Sequence, residues 1–251
     1  RGSSTARNSN EILINVMRDA LAQTGIDPDV LQLIPSDDRS TVKALLTARG
    51  KVDLVIPRGS AQLIRMVVDE ATVPTIETGA GVVHLFLDES ASVEMAVDVV
   101  NNSKAQRPSV CNALETLLVH ESIAATILPP VLSRLRESGV TIHADELTRA
   151  IFADSVPVDE AAYSDEYYSL DISVKIVPTL DAAMDHIRRY STKHTESILT
   201  EDYANAERFL AEVDAAVVMV NTSTRFTDGG EFGFGAEVGI STQKLHARGP
   251  M

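Results

Sequence analysis

The chain has 251 residues, of which 44% are hydrophobic and 23% are charged, and 36 Asp and Glu against 22 Lys and Arg leave a net charge of −14. This apolar fraction excludes disordered and collagen-like proteins, and the acidity disfavours nucleic acid as a partner. The single cysteine cannot form an internal disulfide, and no apolar run reaches the roughly 18 residues of a membrane span. We therefore expect a soluble, cytoplasmic protein with one large domain or two modest ones.

The first half of the chain alternates helical and extended patterns. Helices are predicted from a cap at Ser9 or Asn10 to Gly25, and over 41–48, 61–70 and 92–104. Strands are predicted at 30–34, 52–56, 75–77 and 83–87. Strands that alternate with helices of this length indicate βαβ units and a parallel sheet.

The second half continues the same alternation. Strands are predicted at 116–119, 140–143, 172–177, 197–200 and 216–220, and helices at 121–137, 180–190 and 203–213. Residues 151–169 have a weak pattern typical of a surface loop. Residues 221–251 are rich in Gly and polar residues, but three Phe argue against disorder, so an irregular functional segment is expected. The fold class is therefore α/β.

Cys111 is the first candidate for chemistry. It follows a turn that contains Pro108, and the residues alone leave two interpretations open, a small buried hydrophobe or a nucleophile. A nucleophile would need a nearby cation or peptide N–H groups to favour the thiolate, and Arg107 could supply the cation. The six His show no metal-ligand spacing, so neither a metal site nor a Cys–His dyad is predicted.

Two glycine clusters resemble nucleotide-binding loops only superficially. In the run 232–239, FGFGAEVG, the last glycine comes one residue too late for G-x-G-x-x-G, and no strand precedes it. The run 78–81, TGAG, is too short to hold a phosphate. Tight turns and close backbone approach explain both clusters better.

Several long motifs resemble one family. They are QRPSVCNA at 106–113, IPRG at 56–59, VPTIETGAG at 73–81 followed by His84, NTSTRFTDG at 221–229 and FGFGAEVGISTQKLHARGP at 232–250. These segments closely resemble the γ-glutamyl phosphate reductases, a family of the aldehyde dehydrogenase superfamily, in collinear order along the chain.

The resemblance implies an aldehyde-dehydrogenase-like α/β fold. It implies that residues 1–80 form the C-terminal part of an NADP-binding domain with a parallel sheet, of which only part is present. Residues 81–235 would form the α/β catalytic domain, and residues 236–251 would return toward the cofactor domain and an oligomerisation flap. Members of the family are longer at both ends and oligomeric, so a portion of a homo-oligomeric enzyme is expected.

The reaction implied is the second step of proline biosynthesis, in which NADPH reduces L-glutamyl 5-phosphate to L-glutamate 5-semialdehyde and phosphate. Cys111 matches the nucleophile that forms a thioester. Thiol chemistry suits this reaction because a thioester accepts hydride readily and the thiolate then leaves readily. Glu77 matches the position at which hydrolytic aldehyde dehydrogenases hold their general base. In a reductase this carboxylate could instead position the thiol or the nicotinamide, or satisfy a loop.

The resemblance also assigns cofactor contacts. Glu166 resembles the superfamily glutamate that holds the ribose on the nicotinamide side. Arg1, Ser3 and Ser4 resemble the segment that contacts the adenosine ribose or its 2′-phosphate. A cation at Arg1 would favour NADPH over NADH, because guanidinium binds phosphate strongly.

For the glutamyl end of the substrate, Arg225 is the natural clamp for the α-carboxylate, because guanidinium binds carboxylate bidentately. Asp228 could meet the α-ammonium, and Arg107 is a second possible clamp. A structural alternative stays open, in which Arg225 and Asp228 simply pair with each other across a turn.

Three other functions stay open. The chain could be the reductase half of a bifunctional pyrroline-5-carboxylate synthase, or a hydrolytic aldehyde dehydrogenase that uses Cys111 and Glu77. It could also be a catalytically incomplete fragment or relative that binds nucleotide or a partner subunit.

Overall fold

A computed structural model describes residues 4–34, 40–244 and 249–250 of the chain. The chain divides into two compact units. The first unit comprises Arg1–Pro57 and Arg65–Thr75, and the second comprises Arg58–Ile64 and Ile76–Met251. The division predicted at 1–80, 81–235 and 236–251 stays a prediction.

The first unit is largely helical. It contains α1 (Arg7–Gln23) and α2 (Ser40–Leu46), with short 3-10 turns at Ser4–Ala6 and Pro28–Val30. Helix α3 (Ala61–Glu70) contributes residues to both units. The predicted cap at Ser9 or Asn10 is wrong: α1 has Ala6 at its cap position, so both residues lie within its first turn. The 3-10 turn already carries the chain into helical geometry, so no capping side chain sets the start.

Three predicted strands of this region are absent from the described residues. Residues 28–30 form a 3-10 turn, and residues 31–34 form no strand. The segments 52–56 and 75–77 share a single parallel bridge, between Val55 and Thr75. A strand needs a ladder of hydrogen bonds to a neighbour, and extended residues with one bridge do not qualify.

The second unit is built on a seven-stranded sheet. Its order is β4-β3-β5-β2-β1-β6-β7, and every pair is parallel. The strands are β1 (Val83–Leu87), β2 (Leu114–His120), β3 (Thr141–Ala144), β4 (Val156–Pro157), β5 (Asp171–Val177), β6 (Thr195–Leu199) and β7 (Val217–Val220). The parallel sheet and the α/β class predicted from the sequence are confirmed.

Five helices connect or follow these strands. They are α4 (Val93–Ala105), α5 (Glu121–Glu137), α6 (Glu146–Ile151), α7 (Leu180–Tyr190) and α8 (Tyr203–Glu212). Two further short strands, β8 (Ile240–Ser241) and β9 (Gly249–Pro250), pair antiparallel. In the described part of the chain, no helix has the length and apolar character that crossing a lipid bilayer requires.

The sheet separates two hydrophobic cores, because side chains alternate between its faces. Leu85 and Leu87 of β1 pack with residues of α4 and α5, such as Val100 and Ile127. Phe86 belongs to the opposite core. The second core contains residues of β2, α7 and α8: Leu118, Met184, Ile187 and Phe209. Both faces of the sheet are therefore covered, and its central strands are fixed in place.

Three irregular segments precede strands of this sheet. Residues 76–82 lead into β1, residues 106–113 lead into β2, and residues 165–170 lead into β5. Because the strands are parallel, their amino ends lie at the same edge of the sheet. A fourth segment, 223–228, reaches this edge through Thr227, whose hydroxyl accepts a hydrogen bond from Thr195 at the start of β6 (3.0 Å).

Candidate active site

A cavity of about 410 Å³ lies in the second unit, around Cys111. Its wall contains residues of all four segments at the amino edge of the sheet. Three arginines and three carboxylates line it, namely Arg58, Arg107, Arg225, Glu166, Asp228 and Glu237. Five of the nine predicted site residues therefore meet in one place: Cys111, Arg107, Arg225, Asp228 and Glu166.

The Cys111 thiol is half-buried. Burial raises its pKa above the ordinary value, and the nearby charges of Glu166 and Glu237 raise it further. The positive charge of Arg58 and the backbone N–H of Cys111 itself act in the opposite direction. Arg58 is therefore the cation with the largest effect in favour of the thiolate, and the raised pKa leaves the resting group a protonated thiol at neutral pH.

Gly81 explains how the main chain at Cys111 is positioned. A Cβ atom at Gly81 would lie 1.7 Å from the carbonyl oxygen of Cys111 and 2.5 Å from its carbonyl carbon. Only glycine allows this contact, which confirms close backbone approach in the first glycine cluster. In the second cluster, Gly233 and Gly235 have φ of +80° and +85°, so they form the tight turns that were predicted.

Two side-chain hydrogen bonds fix the guanidinium of Arg225. Its Nε donates to Oε1 of Gln106 (2.9 Å), and its Nη1 donates to Oδ1 of Asn112. Asn112 in turn donates to the carbonyl of Thr227 (2.8 Å). Burial and the charge of Arg107 lower the pKa of Arg225 below its usual range. Two guanidinium groups that repel each other in this way favour an anion near them.

Asp228 is held by main-chain groups rather than by Arg225. Its Oδ1 accepts hydrogen bonds from the backbone N–H groups of Gly230 (2.8 Å) and Glu231 (3.2 Å). Within the described ranges, no salt bridge joins Arg225 to Asp228. Both side chains therefore face the cavity as separate charges.

Glu166 reaches the cavity from the segment before β5. Its Oε2 is buried and has no hydrogen-bond partner among the described residues. Burial raises the pKa of neighbouring Tyr168, and the side chain of Glu166 raises it further. A buried acceptor without a donor is costly, so this oxygen is a natural partner for a ligand hydroxyl group.

A buried ion pair supports the segment that carries Glu166. The Nζ atom of Lys104, on α4, lies 2.9 Å from Oε2 of Glu115, on β2. The same oxygen accepts a 3.4 Å hydrogen bond from the backbone N–H of Tyr167, so the pair anchors the segment that carries Glu166. Burial raises the pKa of Glu115 to about 7, although Lys104 opposes this shift.

Two predicted site residues within the described structure, Glu77 and Ser4, do not line the cavity that contains Cys111. Glu77 is half-buried and does not line the cavity; its backbone N–H donates to Oε1 of Gln243 (2.8 Å). Ser4 begins the 3-10 turn Ser4–Ala6 in the first unit. Arg1 and Ser3, the remaining two predictions for the cofactor, lie outside the described residues.

Sequence reasoning missed two charged groups of the cavity. Arg58 belongs to the IPRG motif, and Glu237 to the glycine-rich run, but neither was singled out as a site residue. Each lies far from Cys111 in the chain, so only the fold brings them together. Among the described residues, no group of three His, Cys, Asp or Glu could hold a metal ion.

Comparison with known proteins gives matches along the whole chain. All 251 residues match γ-glutamyl phosphate reductase of Leifsonia xyli at 59% identity, and that of Thermobifida fusca at 57%. The chain spans 60% of the length of each of these relatives. The resemblance to this family of reductases is thus confirmed.

Solved structures give the same result for the fold. The crystal structure of γ-glutamyl phosphate reductase from Thermotoga maritima matches with a TM-score of 0.94 and 52% identity, over 100% of this chain and 61% of that one. An acetylating aldehyde dehydrogenase from Geobacillus thermoglucosidasius shares the fold, with a TM-score of 0.73 at 17% identity over 94% of this chain and 61% of that one. The sequence model of the aldehyde dehydrogenase family matches residues 3–151, which is more than half of the chain. The chain belongs to the aldehyde dehydrogenase family.

Proposed function

We propose that this chain carries the catalytic centre of an NADPH-dependent γ-glutamyl phosphate reductase. The observation that carries the proposal is the cavity at Cys111, where one thiol faces three arginines and three carboxylates. The relatives that match the whole chain bear this name. The proposed reaction reduces L-glutamyl 5-phosphate to L-glutamate 5-semialdehyde and releases phosphate.

In the proposed first step, the Cys111 thiolate attacks the acyl carbon of the substrate. A C–S bond forms, the C–O bond to the phosphoryl group breaks, and phosphate leaves with the electron pair. The thiol has to lose its proton first, since its pKa is raised. Arg58 and the backbone N–H of Cys111 favour the thiolate, and donors of this kind also stabilise the oxyanion of the addition step.

One side chain of the cavity fits a contact with a dinucleotide cofactor. The buried Oε2 of Glu166, which has no donor in the described structure, suits a ribose hydroxyl. A nicotinamide cofactor held there would supply hydride chemistry to the thioester carbon. Because thiolate is a good leaving group, Cys111 would be released with its bonding electron pair once that carbon is reduced. In the family a nicotinamide cofactor is expected, and the choice of NADP, with Arg1, Ser3 and Ser4 near its 2′-phosphate, is part of this proposal.

The charges of the cavity suit the amino acid end of the substrate. Arg225, which Gln106 and Asn112 hold in place, is proposed to bind the α-carboxylate. Asp228 is proposed to meet the α-ammonium, and Arg107 to act as a second clamp. Glu77 is proposed to position the loop or the reacting groups rather than to activate water. A hydrolytic dehydrogenase needs a base at the thioester, and Glu77 does not line the cavity.

We also propose a cytoplasmic homo-oligomer, as the family resemblance implies. A bifunctional pyrroline-5-carboxylate synthase would use the same centre for the same step.

The reverse reaction provides the test. The full chain is given glutamate 5-semialdehyde, NADP and phosphate, and NADPH is followed by absorbance. We expect turnover that requires phosphate and is lost in Cys111→Ala, with Ser164→Ala, which is exposed and lies outside the cavity lining, as the control. Turnover that proceeds with water in place of phosphate would instead identify a hydrolytic dehydrogenase. Binding of NADP without turnover would favour the non-catalytic relative.

A further inference from the structure

Arg58 is the arginine of the cavity to which the proposed function assigns no group of the substrate. Its Nη1 donates to the backbone carbonyl of Val238 (2.8 Å), which orients the guanidinium. In the described part of the chain, no salt bridge within 4 Å joins Arg58 to a carboxylate. A cation without an acidic partner, in a chain of net charge −14, indicates a site for an anion.

The three arginines of the cavity are divided between two ends. Arg107 acts electrostatically on Arg225, whose guanidinium Gln106 and Asn112 fix, so these two arginines form one end. Arg58 is the cation with the largest effect on the Cys111 thiol, and Cys111 also interacts with Arg225. Two nitrogen atoms of Arg225 are already bonded to Gln106 and Asn112, so we assign Arg58 to the reacting end of the substrate and the Arg107–Arg225 pair to its far end.

The chemistry of an acyl phosphate distinguishes these ends. Its phosphoryl oxygen is bonded directly to the carbon that the thiol attacks, so the phosphate lies beside the nucleophile and carries about two negative charges. The cation that binds it has to lie near the sulfur as well. Guanidinium suits this role because its planar N–H groups bind phosphate oxygens bidentately.

We propose that Arg58 binds the phosphoryl group of an acyl phosphate beside Cys111 and stabilises it as it leaves. This inference rests on the proposed function, since it assumes a phosphate that departs from an acyl carbon. It assigns Arg58 two effects in one step. Its charge favours the attacking thiolate, and its N–H groups receive the charge that develops on the leaving group.

The first experiment uses inorganic phosphate as the probe and needs no turnover. Cys111 is the sole cysteine, so alkylation by iodoacetamide, followed by intact mass, reports on this site alone. We expect phosphate to slow alkylation of the full chain at least threefold, and this protection to disappear in Arg58→Gln. Arg65→Gln is the matched control, because Arg65 is exposed and does not line the cavity.

The second experiment is steady-state kinetics in the direction that consumes phosphate. We expect Arg58→Gln to raise the KM for phosphate at least tenfold, as the loss of a charge-assisted hydrogen bond predicts, with the KM for NADP within twofold of the original. Arg58→Lys should recover part of the loss, because it keeps the charge but not the bidentate geometry. This variant also provides a folded comparison if the glutamine variant unfolds.

The outcomes separate the two proposals. The role of Arg58 would be overturned if phosphate still protected Cys111 in Arg58→Gln. It would also be overturned if phosphate gave no protection in the chain that retains Arg58. A rise in the KM for NADP alone would also overturn it and would assign the arginine to a phosphate of the dinucleotide. Protection that depends on Arg58 in a chain without phosphate-dependent turnover would leave the anion site standing and refute the proposed reaction.

Discussion

The reactivity of Cys111 depends on three charges that the fold places around it. Burial, Glu166 and Glu237 raise the pKa of the thiol, while Arg58 lowers it. A raised pKa means that the thiolate fraction is small at neutral pH and grows as the pH rises. The nucleophile therefore becomes effective only when a cation or a bound substrate shifts this balance.

This balance gives a prediction for Glu166→Gln. Removal of one negative charge should lower the pKa of the thiol, so alkylation of Cys111 at pH 7 should become about two- to tenfold faster. The measurement is the rate of iodoacetamide modification between pH 6 and 10, with Glu207→Gln as an exposed control. An unchanged pH profile in Glu166→Gln would show that its charge does not reach the sulfur.

A second prediction concerns Gly81. Alanine there would place a Cβ 1.7 Å from the carbonyl oxygen of Cys111, so the main chain has to move. We expect Gly81→Ala to lose about 100-fold in turnover, since shifts of about 1 Å at a nucleophile cost that much. At Gly79 the added carbon would meet only the side chain of Thr242, at 3.0 Å, and a side chain can rotate.

Gly79→Ala is therefore the matched control, and turnover and the urea midpoint are measured for both variants. A Gly81→Ala protein as active as Gly79→Ala would contradict the close approach.

The sequence predicts individual site residues where a motif surrounds them. Cys111 and Arg225, which line the cavity, were predicted from long and distinctive segments, and Glu166 was predicted from a short motif. Arg58 and Glu237 are not, since their relation to the thiol arises from the fold and not from their neighbours in the chain. Whether Arg225 pairs with Asp228 could not be decided from spacing either, because both arrangements suit a turn.

At the scale of elements, the ion pair between α4 and β2 deserves a test of its own. Lys104 and Glu115 are both almost completely buried, and Glu115 also accepts from the backbone of Tyr167. Loss of one partner leaves an uncompensated charge inside the protein. We expect Glu115→Ala to lower the free energy of unfolding by about 3–5 kcal/mol, as breaking buried pairs does.

The matched variant is the double substitution Lys104→Met with Glu115→Leu, which removes both charges and keeps apolar volume. Urea denaturation should show that it recovers most of the lost stability. Both variants lack the hydrogen bond to Tyr167, so a double variant less stable than Glu115→Ala would contradict the proposed cost of the unpaired Lys104 charge.

The bounds of helices and strands were predicted well where buried apolar residues recur at a regular spacing. Helices α3, α5 and α7 and strand β1 have the predicted bounds, because each has capping residues or a continuous apolar run. The predictions at 30–34, 52–56 and 75–77 were wrong for a different reason. Short apolar runs readily adopt an extended backbone, but a strand also needs a neighbouring strand with which to form hydrogen bonds. Sequence patterns do not show which segments are neighbours.

At the scale of the whole second unit, the topology decides where the site lies. The sheet is entirely parallel, and Cys111, Thr78 and Glu166 all come from segments that precede strands. The candidate site therefore lies at the amino edge, whereas open parallel sheets usually bind ligands at the carboxyl edge. The sequence predicted the sheet, but not the edge that carries the chemistry.

That edge has a consequence for how anions are recognised. Each helix that links two parallel strands runs back against them, so α4, α5, α7 and α8 point their carboxyl ends at this edge. The carboxyl end of a helix carries roughly half a negative charge, and α4 ends at Ala105, two residues before Arg107. Nucleotide-binding loops attract phosphate with the opposite, amino end of a helix. The dipoles of these linking helices therefore repel anions at the cavity. The arginine side chains have to overcome that repulsion, so a single arginine substitution can change which anion binds.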